Sequence, residues 1–464
     1  MMKNRFLKKI SIYFIGTLSS NMINVLLVPV YAYFVLTEDL GEYDYVLSIA
    51  NMVTPFVFLT IWESILKYCI NKTDQDTSKI LSTSMAFAAF TSVICGIVFL
   101  VLAFLGIDSQ LLFITLSFVV VQGFTTIWQY SARSLGESKQ YVMAGVVGSV
   151  VVIACDLMFI LFYKLDYVGL AISHVLSQVA ILIVLELKIK LLNKFKKSLI
   201  NKEILKKMLV FSVPLVLNNV CLWFYSGGNK VIIRNFIGTT ENGLYSFASK
   251  FSILVNLCST VISMAVIEEA YSFKTLEEYK IKIGKLITII SKAYFSMITL
   301  ALPAIYILYS IAFKKTDYYN SSDYVFLLLL SALFTALSNN YGSSFQVTGN
   351  TKYISLTTIA GAISSLVISL MLVKSLNVWG VLLGAVIGPL VMMITRAIYA
   401  KKATGLSVNW SQNLIILGIA ILSSIFLMMF DNILVQIAIF IAIIIVLLFS
   451  YREEIKILLR KRVR

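Results

Sequence analysis

Charge is scarce in this chain: 13% of its 464 residues are Asp, Glu, Lys or Arg, against 59% that are hydrophobic. A water-soluble globular protein, with roughly a quarter of its residues charged, is excluded by that balance. Histidine occurs once, as His174, so no histidine-based metal centre can be assembled. The five cysteines, Cys69, Cys95, Cys155, Cys221 and Cys258, lie in or beside apolar runs and show no C-x-x-C spacing. They read as small packing residues rather than metal ligands. With five prolines and 22 glycines, and without alternating ten-residue strands, the chain is not a β-barrel. A G-x-x-x-x-G-K-[ST] loop is also missing, so the chain has no nucleotide-driven motor of its own. No cofactor is expected.

What is present is one apolar run after another. A membrane-crossing helix needs about 20 apolar residues, and such runs fall at 10–36, 45–66, 80–105, 110–132, 141–163, 167–187, 208–237, 243–267, 286–313, 324–346, 353–373, 378–399, 414–429 and 433–451. The predicted fold is therefore all-α and polytopic, with about fourteen transmembrane helices. The basic stretch 1–9 leads into an apolar run too long for a signal peptide and without a small-residue cleavage site, so an uncleaved first helix is expected.

Charge sets the expected orientation. With the N-terminus in the cytoplasm, 31 of the 39 basic residues fall on the cytoplasmic side. The first outer loop, 37–44, carries Glu38, Asp39, Glu42 and Asp44 and no Lys or Arg. This asymmetry is expected to place both termini in the cytoplasm, with the chain multi-pass in the inner (cytoplasmic) membrane. The formal charge of +16 is then a topology signal, and no nucleic-acid partner is expected. Residues 188–207 hold eight lysines and one acid and read as an anchor on anionic headgroups. The tail from Tyr451 reads as a short basic amphipathic helix.

Three short patterns recur in order along the chain. Gly41-Glu-Tyr43 matches Gly243-Leu-Tyr245, Gly136-Glu-Ser-Lys139 matches Gly349-Asn-Thr-Lys352, and Leu165-Asp-Tyr-Val-Gly169 matches Leu376-Asn-Val-Trp-Gly380, at offsets of 202, 213 and 211 residues. The expected organisation is an N-terminal six-helix bundle over 1–192, a basic cytoplasmic linker over 193–207, a second six-helix bundle over 208–402, and two further helices with a basic tail over 403–464. An even number of helices per repeat relates the halves by an axis along the membrane normal, which suits a central cavity and alternating access.

Ionisable groups inside a bilayer cost about 2.5–3.5 kcal/mol each, so each needs a pairing, a wet cavity or a route to the surface. By rise per residue, Asp156, His174, Lys230 and Lys250 all fall about 10–12 Å below the outer boundary. Asn219, Trp223, Ser226, Lys230 and Arg234 share one helix face by spacing. That stripe suits a cavity for sugar and phosphate, and equally allows Lys230 and Arg234 to snorkel to headgroups. Lys250 is open to the same cavity or to a salt bridge with Asp156. His174 and Asp156 could form a proton-responsive pair, the alternative being a histidine satisfied by a neighbouring hydroxyl. Asn21 and Asn24, with Asn218 and Asn219, line the cavity or serve as interhelical hydrogen-bond glue. Glu63 and Lys67, at i and i+4, read as an interfacial pair. The outer connections are too short for the catalytic loop of a glycan polymerase or acyl transferase, so the pattern points to moving a substrate, not altering one.

The stretch FSVPLVLNNVCLWFYSGGNKVIIRNFIGTTENGLYSFASK, from Phe211 to Lys250, resembles the polysaccharide-transport flippases for O-antigen, capsule and related lipid-linked sugars. These belong to the multidrug/oligosaccharidyl-lipid/polysaccharide exporter superfamily. Pro214-Leu215, Trp223, Asn229-Lys230, Gly238, the Gly243-Leu-Tyr245-Ser246 turn and Lys250 carry the resemblance, together with Gly41 to Tyr43 and the two-half layout. Family members commonly have Asp-Arg where this chain has Asn229-Lys230. The resemblance implies a flippase carrying an undecaprenyl-diphosphate-linked oligosaccharide repeat to the outer leaflet. It also implies a cationic cavity, coupling to a proton or sodium gradient, and pathway partners such as a glycan polymerase and glycosyltransferases. In that setting Lys230, Arg234 and Lys250 would meet phosphate or acidic sugar, and Asn219 and Trp223 would meet sugar. A cation-coupled multidrug exporter of the same superfamily is the alternative, but it would favour acidic cavity residues.

Overall fold

The computed structural model describes residues 27–69, 74–272, 275–350, 352–406, 408, 410–430 and 432–452. Most of the first expected helix, with Asn21 and Asn24, and nearly all of the basic tail lie outside them. Every regular element among the described residues is helical, and the protein is an all-α polytopic membrane protein. Ten of the described helices are long and apolar enough to cross a membrane, and a bent pair makes an eleventh.

The first compact unit takes in the chain up to Ser246 together with Ser365–Val381. It contains α1 (Val28–Phe34), α2 (Thr37–Val57), α3 (Ile61–Cys69), α4 (Asp74–Phe104), α5 (Ser109–Ser134), α6 (Ser138–Leu157), α7 (Tyr167–Ile189), α8 (Lys202–Trp223), α9 (Asn229–Phe236) and the start of α10 (Thr239–Ser249). The α6/α7 pair packs tightly. Gly148 leaves room there for Ile181, and Ser177 Oγ donates to the Gly148 carbonyl at 2.7 Å. α4 turns Phe90, Val93, Ile97, Val101 and Phe104 outward. An exposed apolar stripe of that kind is what a helix presents to lipid.

The second expected segment is not one straight helix. Pro55 cannot donate the amide bond that would continue the ladder, and Leu59 and Thr60 both take positive φ of 47°. The chain breaks there, and α2 and α3 meet at a 56° bend. Phe58 is seated over Gly123 of α5, where a Cβ would overlap its ring. Beyond the break, Thr60 Oγ1 donates to the Ser212 carbonyl at 2.8 Å and Ser64 Oγ to the Met208 carbonyl at 2.7 Å, tying α3 along α8. α2 also begins at Thr37, eight residues before the apolar run. The residues expected to form an outer loop are therefore its first two turns. Acidic side chains are favourable there, because the helix N-terminus carries partial positive charge.

The second unit takes Phe247–Ser364 and residues from Leu382 onward. It holds α11 (Ser252–Ser272), α12 (Leu276–Leu308), α13 (Ser322–Val347), the first half of α14 (Lys352–Leu376), most of α15 (Val378–Thr404), and α16 (Ser411–Met429) and α17 (Ile433–Ser450). α11 packs on α13, and α12 packs on α13, α16 and α17. An aromatic cluster of Phe247, Tyr309, Phe313 and Tyr318 fills one end of it.

The recurring patterns have matching backbones. Gly136 and Gly349 both turn at positive φ, 83° and 71°, where only glycine is unstrained. The Gly169 amide donates to the Asp166 carbonyl at 2.9 Å, and the Gly380 amide to the Asn377 carbonyl at 3.1 Å. All five cysteines are free, with Cys69, Cys95 and Cys221 buried, Cys155 half-buried and Cys258 exposed.

Candidate functional site

The first turns of α2 meet α9 and α10 within the first unit. Gly41 and Gly243, partners in the repeat, sit at this crossing. A Cβ on Gly41 would overlap the Thr239 carbonyl oxygen, and a Cβ on Gly243 would overlap the Thr37 carbonyl oxygen. Thr37 and Thr239 are themselves 202 residues apart, so the contact is reciprocal: each threonine carbonyl covers the other repeat's glycine. Asn242 Nδ2 donates to the Gly41 carbonyl at 2.6 Å, and Thr240 Oγ1 donates to Glu38 at 3.2 Å. The two helix starts approach at backbone distance because neither glycine has a side chain to hold them apart.

Beside the crossing, two acids of α2 meet two cations of α9. Glu42 takes Arg234 in a two-point fork, Nε to Oε2 at 3.1 Å and the terminal guanidinium nitrogen to Oε1 at 2.9 Å. The guanidinium also lies over the Tyr45 ring at 4.6 Å. One turn along, Lys230 Nζ is 3.1 Å from Asp44 Oδ2. Ser48 Oγ donates to the Asp44 carbonyl at 2.6 Å, and the Ser48 carbonyl accepts from Trp223 Nε1 at 2.7 Å. Trp223, Lys230 and Arg234 thus share one face, as the spacing predicts. Their polar heads are bonded to α2. A π-helical turn over Phe224–Gly228 joins α8 to α9 and keeps the face continuous.

The other predicted residues fall elsewhere. Asn219 is half-buried, and its amide donates back to the Leu215 carbonyl of its own helix at 3.1 Å. Lys250 is half-buried in the second unit, in the turn between α10 and α11. Asp156 and His174 do not meet. Asp156 is buried and accepts from the Tyr31 hydroxyl at 2.7 Å. His174 Nδ1 lies 3.3 Å from the Tyr43 hydroxyl, and its ring packs against Phe118 at 5.0 Å between centroids. Tyr31 and Tyr43, on α1 and α2, are therefore the groups that hold the two titratable residues. Glu63 and Lys67 are not a pair either. Glu63 accepts from Tyr130 at 2.9 Å, while Lys67 sits over the Phe211 ring at 3.7 Å. Tyr130 lies on α5 and Phe211 on α8, so each of the two side chains is taken up by a different neighbouring helix.

The residues of this candidate site that the sequence reading did not single out are Glu42, Asp44, Tyr31 and Tyr43. A signal for the acids was available. Glu38 and Asp39 directly after Thr37, ahead of the apolar run, suit the first turn of a helix, whose N-terminus favours acids, and so mark a helical start instead of a loop.

The sequence matches the model of the polysaccharide biosynthesis protein family over residues 6–267, more than half of the chain. The chain belongs to that family. No curated protein matches its sequence. Among solved structures, this member of the polysaccharide biosynthesis family shares its fold with the lipid II flippase MurJ in an inward closed conformation. The TM-score is 0.73 at 15% identity, over 96% of this chain and 100% of that one. It is also similar to an inward-facing multidrug resistance MATE family transporter of the MOP superfamily, with a TM-score of 0.59 at 15% identity over 83% of this chain and 98% of that one. A MOP superfamily transporter from Pyrococcus furiosus gives a TM-score of 0.53 at 15% identity, over 85% and 96%. Identities this low speak for the fold alone.

Proposed function

We propose that this protein is a flippase that carries an undecaprenyl-diphosphate-linked oligosaccharide repeat from the cytoplasmic to the outer leaflet by alternating access, for a surface polysaccharide such as capsule or O-antigen. Its setting is the bacterial cytoplasmic membrane with both termini in the cytoplasm, coupled to a proton or sodium gradient. The observation that carries the reading is the pair of cations on α9, Arg234 and Lys230, neutralised by Glu42 and Asp44. A guanidinium forked on a carboxylate presents the same two-point geometry to a phosphate. A diphosphate can take over where the carboxylates let go, so the ion pairs act as exchangeable counterions for the cargo. Membership in the polysaccharide biosynthesis family and a fold shared with a lipid II flippase support the cargo class.

Lys230, Arg234 and Lys250 are the proposed phosphate or acidic-sugar contacts, with Asn219 and Trp223, and Asn21 and Asn24, on the sugar side. Asp156 and His174 are the proposed coupling residues. Replacing Lys230 and Lys250 together by Ala strands the lipid-linked precursor on the inner leaflet and removes surface polysaccharide. Normal surface polysaccharide from that double variant counts decisively against the reading. A multidrug exporter would instead show drug efflux that the same double variant leaves intact.

A further inference from the structure

The second unit contains a polar cavity that the proposed transport path does not use. It has a volume of about 160 Å³ and lies where the turn after α12 and the turn after α16 come together. Tyr306, Tyr309, Ser322, Asp323, Leu427 and Gln436 are among its walls. It shares no residue with the ion pairs of α2 and α9.

The hydrogen-bonding inventory of these walls is specific. Ser321 Oγ donates to the Tyr318 carbonyl at 2.7 Å, so its 2.8 Å bond to Tyr309 must be donated by the Tyr309 hydroxyl. That leaves the Tyr309 oxygen as an acceptor. Gln436 is buried, and its Oε1 accepts from Ser310 at 2.9 Å, which leaves its amide NH₂ as a donor. The Tyr306 hydroxyl is buried, with no hydrogen-bond partner among the described residues. It can both give and accept. Asp323 adds an acceptor. A buried polar atom without a partner costs free energy unless a ligand or water meets it.

We propose that this cavity binds a single pyranose ring. A bare cation would use the acceptors and leave the Gln436 amide hydrogens pointed at positive charge. An anion would face the Asp323 carboxylate. Sugar hydroxyls donate and accept at once, so they satisfy the mixed set, and the tyrosine and Leu427 surfaces cover the ring's C–H faces. The volume holds one such ring and not a longer glycan. The site is a second point of contact for glycan, reached from the end of the helices.

The test uses the full-length protein in lipid nanodiscs free of glycoside detergent, with saturation-transfer NMR against glucose, galactose, mannose, rhamnose and N-acetylglucosamine. Sodium chloride, read by broadening of the sodium resonance, and choline, read by its own protons, are titrated in parallel. At least one pyranose gives saturable transfer at millimolar concentration. Tyr306→Phe weakens it about fivefold, the effect of one neutral hydrogen bond, and Asp323→Asn and Gln436→Leu weaken it by at least as much. Tyr306→Phe removes an atom that bonds nothing among the described residues, so the fold survives it. No saturable transfer from any pyranose overturns the proposal, as does transfer that survives all three substitutions. A response confined to sodium or choline also overturns it. Because binding by the isolated protein requires no transport, failure here leaves the flippase reading standing. A Lys230→Ala, Lys250→Ala protein that still exports glycan sinks that reading alone.

Discussion

At the scale of single residues, the site is a set of charges that cancel locally. Glu42 is mostly buried, at 13% side-chain exposure. Removing Arg234 leaves its carboxylate without the fork and costs about 1–3 kcal/mol. Arg234→Ala and Glu42→Ala should each lower the thermal midpoint of the purified protein, and the exchanged pair Glu42→Arg, Arg234→Glu should recover most of the loss. A swap that recovers nothing shows that the pair is not acting as a pair. At the proposed coupling residues, Asp156→Asn and His174→Ala should abolish gradient-driven transport, and Tyr31→Phe or Tyr43→Phe should reduce it, since these hydroxyls bond the two groups. Unchanged transport in both Asp156→Asn and His174→Ala removes them from coupling. The cations and their shared face were legible from spacing. Their acidic partners were not, because a tally of loop charge does not register that Glu42 and Asp44 point inward from a helix. Spacing alone likewise put Asp156 and His174 at one depth without fixing which neighbours they bond.

At the scale of elements, two glycines determine how closely helices approach. A methyl group at Gly41 or Gly243 has to push a backbone carbonyl aside, and overpacking of this kind costs about 1–3 kcal/mol. Because each glycine is covered by the other repeat's threonine, Gly41→Ala and Gly243→Ala disrupt one contact. The double variant should therefore be little less stable than either single one, measured by thermal unfolding in nanodiscs. Additive losses would mean that the two contacts are independent. The repeat pointed to these glycines in the sequence. It did not reveal that they touch, which depends on the crossing of two helices far apart in the chain. The bend between α2 and α3 was invisible for a related reason. Pro55 alone is tolerated within a helix near a boundary, and the positive φ at Leu59 and Thr60 is held by Phe58 over Gly123, a tertiary contact. Gly123→Ala should displace the Phe58 ring and weaken the protein by a comparable amount.

At the scale of the whole molecule, the run of apolar segments was the most legible feature, because lipid requires each crossing to satisfy its own backbone. The expected segments recur as helices across the described residues, with differences confined to starts, bends, π turns and the turn at 250–251 that divides the 243–267 segment into α10 and α11. Orientation is a separate question, and it rests on the lysines. Residues 188–207 hold eight of the 39 basic residues, and the positive-inside bias of such a short connection sets which side it occupies. Ser198 is exposed within this stretch, and Ser109 is exposed at the start of α5, in a connection that carries Asp108 and no Lys or Arg. Serine to cysteine is nearly isosteric, so each position can report its side in a background where the five free cysteines are replaced. With both termini cytoplasmic, Ser109→Cys reacts with a membrane-impermeant maleimide in intact spheroplasts, whereas Ser198→Cys reacts only after permeabilisation. The reverse pattern would invert the whole molecule. It would place the paired cations of α9 toward the cytoplasm, and the proposed direction of transport would have to be rebuilt from that side.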